Sequence, residues 1–254
     1  MNKGIFSGCS NNFYICFYQE ITKEEIISIC EKFQTDGFIM LEIKDYFKMH
    51  FYNKDGSRAP MCGNGIRCLT YFIYLNKLIE PFKLIPIITD SGIVNVSITS
   101  VKPMTVKVNL GKPSFRKEDM DCLDIYINKE IEINNISIPI TNVFLGTHHT
   151  IIFGESMKKF AKDIQKNVIF KKGTNVDFVT IVDENNINVK TYERGVGWTS
   201  ACGTGAASSF VVSKLFGFVN DSITVHFQND EVKVTEENND IYLEGECKLD
   251  LKIE

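Results

Sequence analysis

The sequence predicts an α+β chain of two similar halves, each a β-rich sheet around at least one buried apolar helix. Two segments nearly repeat: MCGNGIRCLTYFIYL from Met61 and ACGTGAASSFVVSKL from Ala201. Each is a cysteine, a Gly-x-Gly turn and an apolar stretch suited to a helix. The match extends upstream. Asn53 closes the alternating run FKMHFYN nine residues before Cys62, and Glu193 closes INVKTYE nine residues before Cys202. Further back, TDGFIMLEI from Thr35 echoes TNVDFVTIV from Thr174. Elsewhere period-two alternation dominates, which is the signature of half-buried strands.

Taken in order, IFSGCSNNFYICFY alternates well enough to open a sheet, and ITKEEIISICEKF from Ile21 has helical spacing with acidic residues in its first turn. FIMLEI and FKMHFYN follow as strands, then the first Cys-Gly-x-Gly turn and its helix. The run from Ile85 to Thr99 reads as two strands about an Asp-Ser-Gly turn, and TVKVNLG from Thr105 as another strand. KPSFRKEDMDCLD is polar and reads as an interdomain linker. The second half opens with strands near Ile125–Ile140 and NVFLGTHHTIIF, then a short amphipathic helix from Ser156. FVTIVDENNINVKTYE reads as a hairpin leading to the second Cys-Gly-x-Gly turn. The tail from Ser222 reads as three strands with polar turns. The expected domains are residues 1–115, with strand 247–254 as a possible addition, and residues 116–254.

Composition narrows the function. A 254-residue chain that is 44% hydrophobic and 24% charged is an ordinary globular protein. Its net charge of −4, without a basic stripe, argues against a nucleic-acid partner. No apolar run approaches a membrane span, and the N-terminus lacks a signal-peptide pattern, so a cytoplasmic protein without membrane partners is expected. Eight cysteines in such a chain are expected to be mostly reduced thiols. None forms a CxxC pair or takes zinc spacing with the four histidines, so no metal is expected.

Glycine directly after a cysteine lets backbone approach a ligand closely. The unpaired N–H groups of the helix that follows attract anions, both a carboxylate and a thiolate. Two such ends would bind an α-carboxylate and set a thiol and a thiolate on opposite sides of an α-carbon. One isolated Cys-Gly-x-Gly is more simply a core cysteine before a helix. Two in equivalent places of a duplication argue for chemistry, and a disulfide between them is a third alternative.

DGSRAPMCGNGIRC, GTNVDFV and YERGVGWTSACGTGAA resemble the signatures of diaminopimelate epimerase and its relatives, the amino-acid racemases that work without pyridoxal phosphate. The resemblance runs nearly end to end, from GCSNNF (Gly8–Phe13) to YLEGE. It implies two pseudo-symmetric domains, each an eight-stranded antiparallel β-barrel around a central α-helix, with no cofactor. Carried over by motif, it implies that Cys62 and Cys202 are the acid/base thiols. His149 accompanies one thiol and Glu193 the other. Gly63, Asn64, Gly203 and Thr204 donate to the substrate carboxylate, and Asn11 touches the α-centre. Asn53, Asn175 and Arg194 hold the far end of diaminopimelate.

Three positions depart from the pattern. Thr147 stands where the family has an asparagine that helps bind the distal end, Trp198 where it has a glutamate, and Asn12 where it has an aspartate. Losing a distal polar partner and gaining a flat ring make histidine the expected substrate, with diaminopimelate, favoured by the retained Asn53, Asn175 and Arg194, as the alternative. A binding or thiol-redox protein on the same fold is the alternative of another class. It would need neither both thiols nor their partners. The expected partner is a small amino acid, with a homodimer possible.

Overall fold

A computed structural model describes residues 1–253. The chain forms two compact units. The first holds residues 1–109 and the chain from Glu244 onward; the second is Leu110–Leu243. The crossing points thus fall at Asn109/Leu110 and Leu243/Glu244, against the expected 115/116 and 247.

In the first unit, β1 (Lys3–Gly8) and β2 (Asn11–Phe17) are followed by α1 (Lys23–Phe33), β3 (Gly37–Ile43), β4 (Phe47–Asn53) and the short β5 (Arg58–Ala59). Then come α2 (Gly63–Leu75), β6 (Ile85–Thr89), β7 (Gly92–Val101) and β8 (Met104–Asn109). The second unit holds β9 (Lys129–Ile133), β10 (Ile136–Leu145), β11 (Thr147–Phe153), α3 (Ala161–Gln165), β12 (Asn175–Asp183), β13 (Asn186–Glu193) and β14 (Gly197–Thr199). It continues through α4 (Gly203–Leu215), β15 (Ser222–His226), β16 (Glu231–Glu237) and most of β17 (Asp240–Glu246), and β18 (Lys248–Ile253) ends the chain. The tail therefore has four strands rather than three, because the buried Cys247 interrupts the run between β17 and β18.

Each unit is built around one helix. α2 packs against β1, β2, β3, β4, β7 and β8, and α4 against β10, β11, β12, β13, β15 and β16. Every residue from Gly63 to Thr70 is buried, as is almost every residue from Gly203 to Ser213. A helix buried on nearly every side has no broad solvent face to present and lies in a core, although α2 carries the buried Arg67 and α4 the buried Ser208, Ser209 and Ser213. α1 is different. It is amphipathic, with Thr22 accepting from the Glu25 N–H at 3.2 Å and Glu25 accepting from the Thr22 N–H at 2.8 Å, and it buries Ile26 and Cys30. This reciprocal pair satisfies two donors that a helix start leaves open.

The strand pairing is mixed, which corrects the expected all-antiparallel arrangement. β2–β3 and β4–β6 are parallel in the first unit, and β11–β12 and β13–β15 in the second. A parallel pair needs a crossover, which a hairpin cannot supply. Here a helix lies in every such connection: α1, α2, α3 and α4 in turn. The segment expected as a linker also differs. Ser114 bridges Phe144, Cys122 bridges Phe170, and Met120 and Cys122 join a core with Ile138, Ile152, Ile164 and Phe178. Its few apolar residues cover the outer face of β10 to β12, so it is part of the second unit. Among the described residues no helix is long and apolar enough to cross a membrane.

Candidate active site

The two cysteines cap the two central helices in the same way. Cys62 precedes α2 with φ −138°, and Cys202 precedes α4 with φ −131°. Each Sγ accepts from the N–H three residues on, Gly65 and Gly205 respectively, at 3.4 Å. Serine, threonine and the Asx residues usually fill this position with an oxygen. A sulfur placed there faces the open N–H groups and the positive end of the helix.

At the first helix end, Cys9 and Ser10 both adopt left-handed φ (51° and 59°) and close the β1–β2 hairpin tightly. That turn delivers Asn11 to the helix start, where Asn64 Nδ2 donates to Asn11 Oδ1 at 2.7 Å and approaches the Cys9 carbonyl at 3.5 Å. Asn12, the departure from aspartate, accepts from the Asp36 N–H at 2.9 Å and donates to the Gln34 carbonyl at 3.0 Å, tying the hairpin to the end of α1. Asn53 is exposed at the end of β4 and donates to Ser57 Oγ at 3.0 Å.

The second helix end is more heavily wired. His149 on β11 and Asp177 on β12 are both fully buried, with Nδ1 and Oδ2 2.6 Å apart. The other carboxylate oxygen accepts from Thr191 Oγ1 at 2.6 Å. His149 Nε2 lies 3.0 Å from Thr204 Oγ1, which lies 3.5 Å from Cys202 Sγ. Burial pushes the Cys202 thiol well above its ordinary range, and the charges of Glu193 and Asp177 add to this, while the Thr204 hydroxyl and the Gly205 N–H oppose it. Burial likewise raises Glu193, against the pull of Thr199, His149 and Cys202. Cys202, Glu193, His149 and Thr204 are therefore assembled within the second unit, and Cys62, Asn64 and Asn11 within the first. Gly63 and Gly203 are the first residues of their helices.

The profile of the diaminopimelate epimerase family matches residues 20–116 and 142–249. The chain belongs to that family. It is 37% identical over 242 residues to the diaminopimelate epimerase of Caldanaerobacter subterraneus subsp. tengcongensis, covering 89% of this chain and 88% of the relative. It is 31% identical over 264 residues to that of Alkaliphilus metalliredigens, covering 95% and 92%. Among solved structures, a PhzF-family phenazine biosynthesis protein from Bacillus anthracis shares the fold with a TM-score of 0.71 at 15% identity, over 98% of this chain and 96% of the other. A hydroxyproline epimerase from Agrobacterium vitis does so with a TM-score of 0.69 at 10% identity, over 97% and 88%. As a member of this family, the chain is an isomerase, a racemase or epimerase independent of pyridoxal phosphate.

Trp198, which stands where the family has a glutamate, lies on β14. Trp198 pairs with Tyr192 across β13 and β14, while Thr191 and Glu193 point to the opposite face. Its ring lies 5.3 Å from Tyr192 and 5.8 Å from Phe178, with the Lys158 ammonium 5.8 Å from its centroid, and it is 49% exposed. The tryptophan ring covers a cluster of Tyr192, Phe178 and Lys158. The same alternation separates the two adjacent histidines. His149 faces α4, while His148 faces Cys122 Sγ at 3.8 Å and the Phe170 ring. Thr147 opens β11 after the left-handed Gly146. Asn175 Oδ1 accepts from the Arg194 N–H at 2.8 Å, and the exposed Arg194 side chain donates to the Lys172 carbonyl at 3.1 Å. Two partners of this end, Asp177 and Thr191, escaped the sequence reading. The available signal was an aspartate inside the apolar run NVDFV, where a buried charge requires a partner.

Proposed function

We propose that this chain is a diaminopimelate epimerase, inverting one α-carbon with Cys62 and Cys202 as its two proton carriers. Inversion takes a proton from one face and returns one to the other, so it needs two carriers. The observation that supports the reading is the duplicated cap: two thiols, each taking the N–H three residues on at 3.4 Å, each at the start of a buried helix. The open N–H groups of those helices suit an α-carboxylate. His149 assists one thiol and Glu193 the other, and Asn53, Asn175 and Arg194 recognise the distal end.

Diaminopimelate displaces histidine as the preferred substrate for two reasons. Relatives spanning most of the chain at 31–37% identity carry that name. Trp198, which suggested a flat side chain, faces Tyr192 and Phe178 instead. Thr147 remains the one distal position where the amide is replaced. The test is α-proton exchange in D₂O under reducing conditions, with LL-diaminopimelate and L-histidine side by side. Diaminopimelate should lose its α-proton signal and convert to the meso form, histidine should remain unchanged, and Cys62→Ser or Cys202→Ser should abolish inversion. Exchange of histidine with diaminopimelate untouched would overturn the substrate, and full inversion by either serine variant would overturn the mechanism.

A further inference from the structure

We propose that Cys68 and Cys247, two buried cysteines other than the catalytic thiols, form an oxidisable pair: Arg67 holds Cys247 as a thiolate, and hydrogen peroxide converts the two to a disulfide. The inference does not rest on the epimerase reading. All three residues belong to the first unit. Arg67 is fully buried in α2, and its three guanidinium nitrogens have no hydrogen-bond partner among the described residues. A guanidinium keeps its charge, and a buried charge left unanswered is strongly destabilising. An anion close to Arg67 is therefore required.

One point on β1 locates the candidates. A side chain on Gly8 would come within 3.2 Å of Cys68 Sγ, 3.4 Å of the Glu246 carbonyl and 3.8 Å of Arg67 Nη2. Arg67 and Cys68 of α2 thus meet the end of β17, and Cys247 is the next residue. The other titratable groups around the two thiols are Tyr71 of α2, Cys62 at the start of that helix, and Glu246. Burial raises Tyr71, so its phenol keeps its proton. The Glu246 carboxylate is half-exposed and faces the Lys248 ammonium at 3.6 Å. Cys62 accepts from the Gly65 N–H at the helix start. Cys247 answers Arg67. The hydrogen bond from Cys68 lowers Cys247 most, burial opposes it, and the Arg67 charge lowers it further, whereas burial holds Cys68 well above its ordinary range. Cys68 therefore keeps its hydrogen and gives it to the Cys247 sulfur. The Gly245 carbonyl, 4.0 Å from Cys247 Sγ, is too distant to hold an S–H there instead.

A thiolate beside a thiol suits two-electron oxidation by a small uncharged peroxide. The Cys247 thiolate attacks one oxygen of hydrogen peroxide, the O–O bond breaks, and hydroxide leaves with Cys247 as a sulfenic acid. The Cys68 sulfur then attacks the Cys247 sulfur. The S–O bond breaks, the S–S bond forms, and the Cys68 hydrogen leaves with the hydroxyl as water. The two electrons lost by the sulfurs reduce the peroxide. Cys16 and Cys30 lie in the same unit and show what burial alone does to a thiol. Burial pushes Cys16 up to about 12 and raises Cys30 as well. They are as hidden as Cys247, but neither is set to start this reaction.

The test exposes the reduced full-length chain to hydrogen peroxide, quenches at intervals and maps every cysteine by mass spectrometry. A peptide linked through Cys68 and Cys247 should form roughly tenfold faster than Cys16 or Cys30 is oxidised, the scale of one pH unit in thiolate population. In Cys68→Ser the reaction should stop at a Cys247 sulfenic acid that dimedone traps. Arg67→Met should slow oxidation of Cys247 roughly tenfold, and Arg67→Lys should largely preserve it. A readout on the unmodified chain covers the case in which Arg67→Met fails to fold. Between about pH 9 and about pH 7 an ordinary thiol slows about tenfold per unit, and Cys247 should slow by much less. Oxidation of Cys16 and Cys30 at the rate of Cys247, or a full tenfold fall per unit at Cys247, would overturn the proposal. So would an unchanged rate in a folded Arg67→Met variant. None of these outcomes bears on α-proton exchange, which is read separately.

Discussion

Replacing Gly205 by alanine should damage the protein far more than the same change at Gly65, although the two occupy the same place in the repeated turn. Neither has a left-handed φ, so the difference is one of space. A Cβ on Gly65 would meet Ile39 Cδ1 at 2.9 Å, Met49 Cε at 3.3 Å and Cys62 Cβ at 3.4 Å. The first two are tips of flexible aliphatic chains that can turn aside. A Cβ on Gly205 would collide with Asp177 Oδ1 and approach Thr191 Oγ1 at 2.9 Å. That carboxylate cannot yield, because its oxygens are bound at 2.6 Å to Thr191 and to His149. Alanine gains up to about 1 kcal/mol over glycine in a helix, against about 1–3 kcal/mol for overpacking and about 1.5–3 kcal/mol for a lost hydrogen bond to a charged group. Gly65→Ala should therefore lie within about 1 kcal/mol of the parent, and Gly205→Ala should lose about 2–4 kcal/mol. Urea unfolding, with the slope checked for constancy, measures both. Equal losses, or a larger loss at Gly65, would refute the assignment of Asp177 as a fixed floor beneath α4.

Two pH-linked outcomes follow from burial. Glu193 has a raised pKa, so the folded state favours its protonated form, and its contribution to stability is lost as pH rises through the folded value. Glu193→Gln should therefore melt higher than the parent at neutral pH and show no such advantage in acid, while losing epimerase turnover; thermal melting at both pH values decides it. His148 is lowered from 6.5 to about 4, chiefly by burial, so its contribution is intact above the unfolded value and is lost as pH falls from 6.5 toward 4. His148→Leu should flatten the stability profile across that window, and a profile parallel to the parent's would count against a buried neutral imidazole there.

Much of this was legible because a duplication exposes what both copies share. The Cys-Gly-x-Gly turns, the apolar helices after them and the strands before them all appear in the sequence twice, and both copies fold as caps on buried helices. Trp198 stands four residues before Cys202, and closeness in sequence does not fix which face of its strand the ring takes. A strand alternates faces at every residue, and its register against Tyr192 set the ring on the outer side. The segment from Lys112 to Asp124 looked like a linker for a related reason: its apolar residues, Met120 and Cys122, are sparse, yet they are placed where the outer face of the second sheet needs covering.

What a duplication conceals is the chemistry that differs between its copies. Asp177 lies in a run that echoes one from the first half, but the atom beneath the first glycine is a methyl carbon of Ile39 and the atom beneath the second is a carboxylate oxygen. Comparing the halves at the level of motif therefore makes the two thiols look alike. Their surroundings make one of them part of a buried chain of hydrogen bonds running from sulfur to carboxylate. Burying that carboxylate is costly unless something ionic or hydrogen-bonded answers it, and here a histidine and a threonine both do.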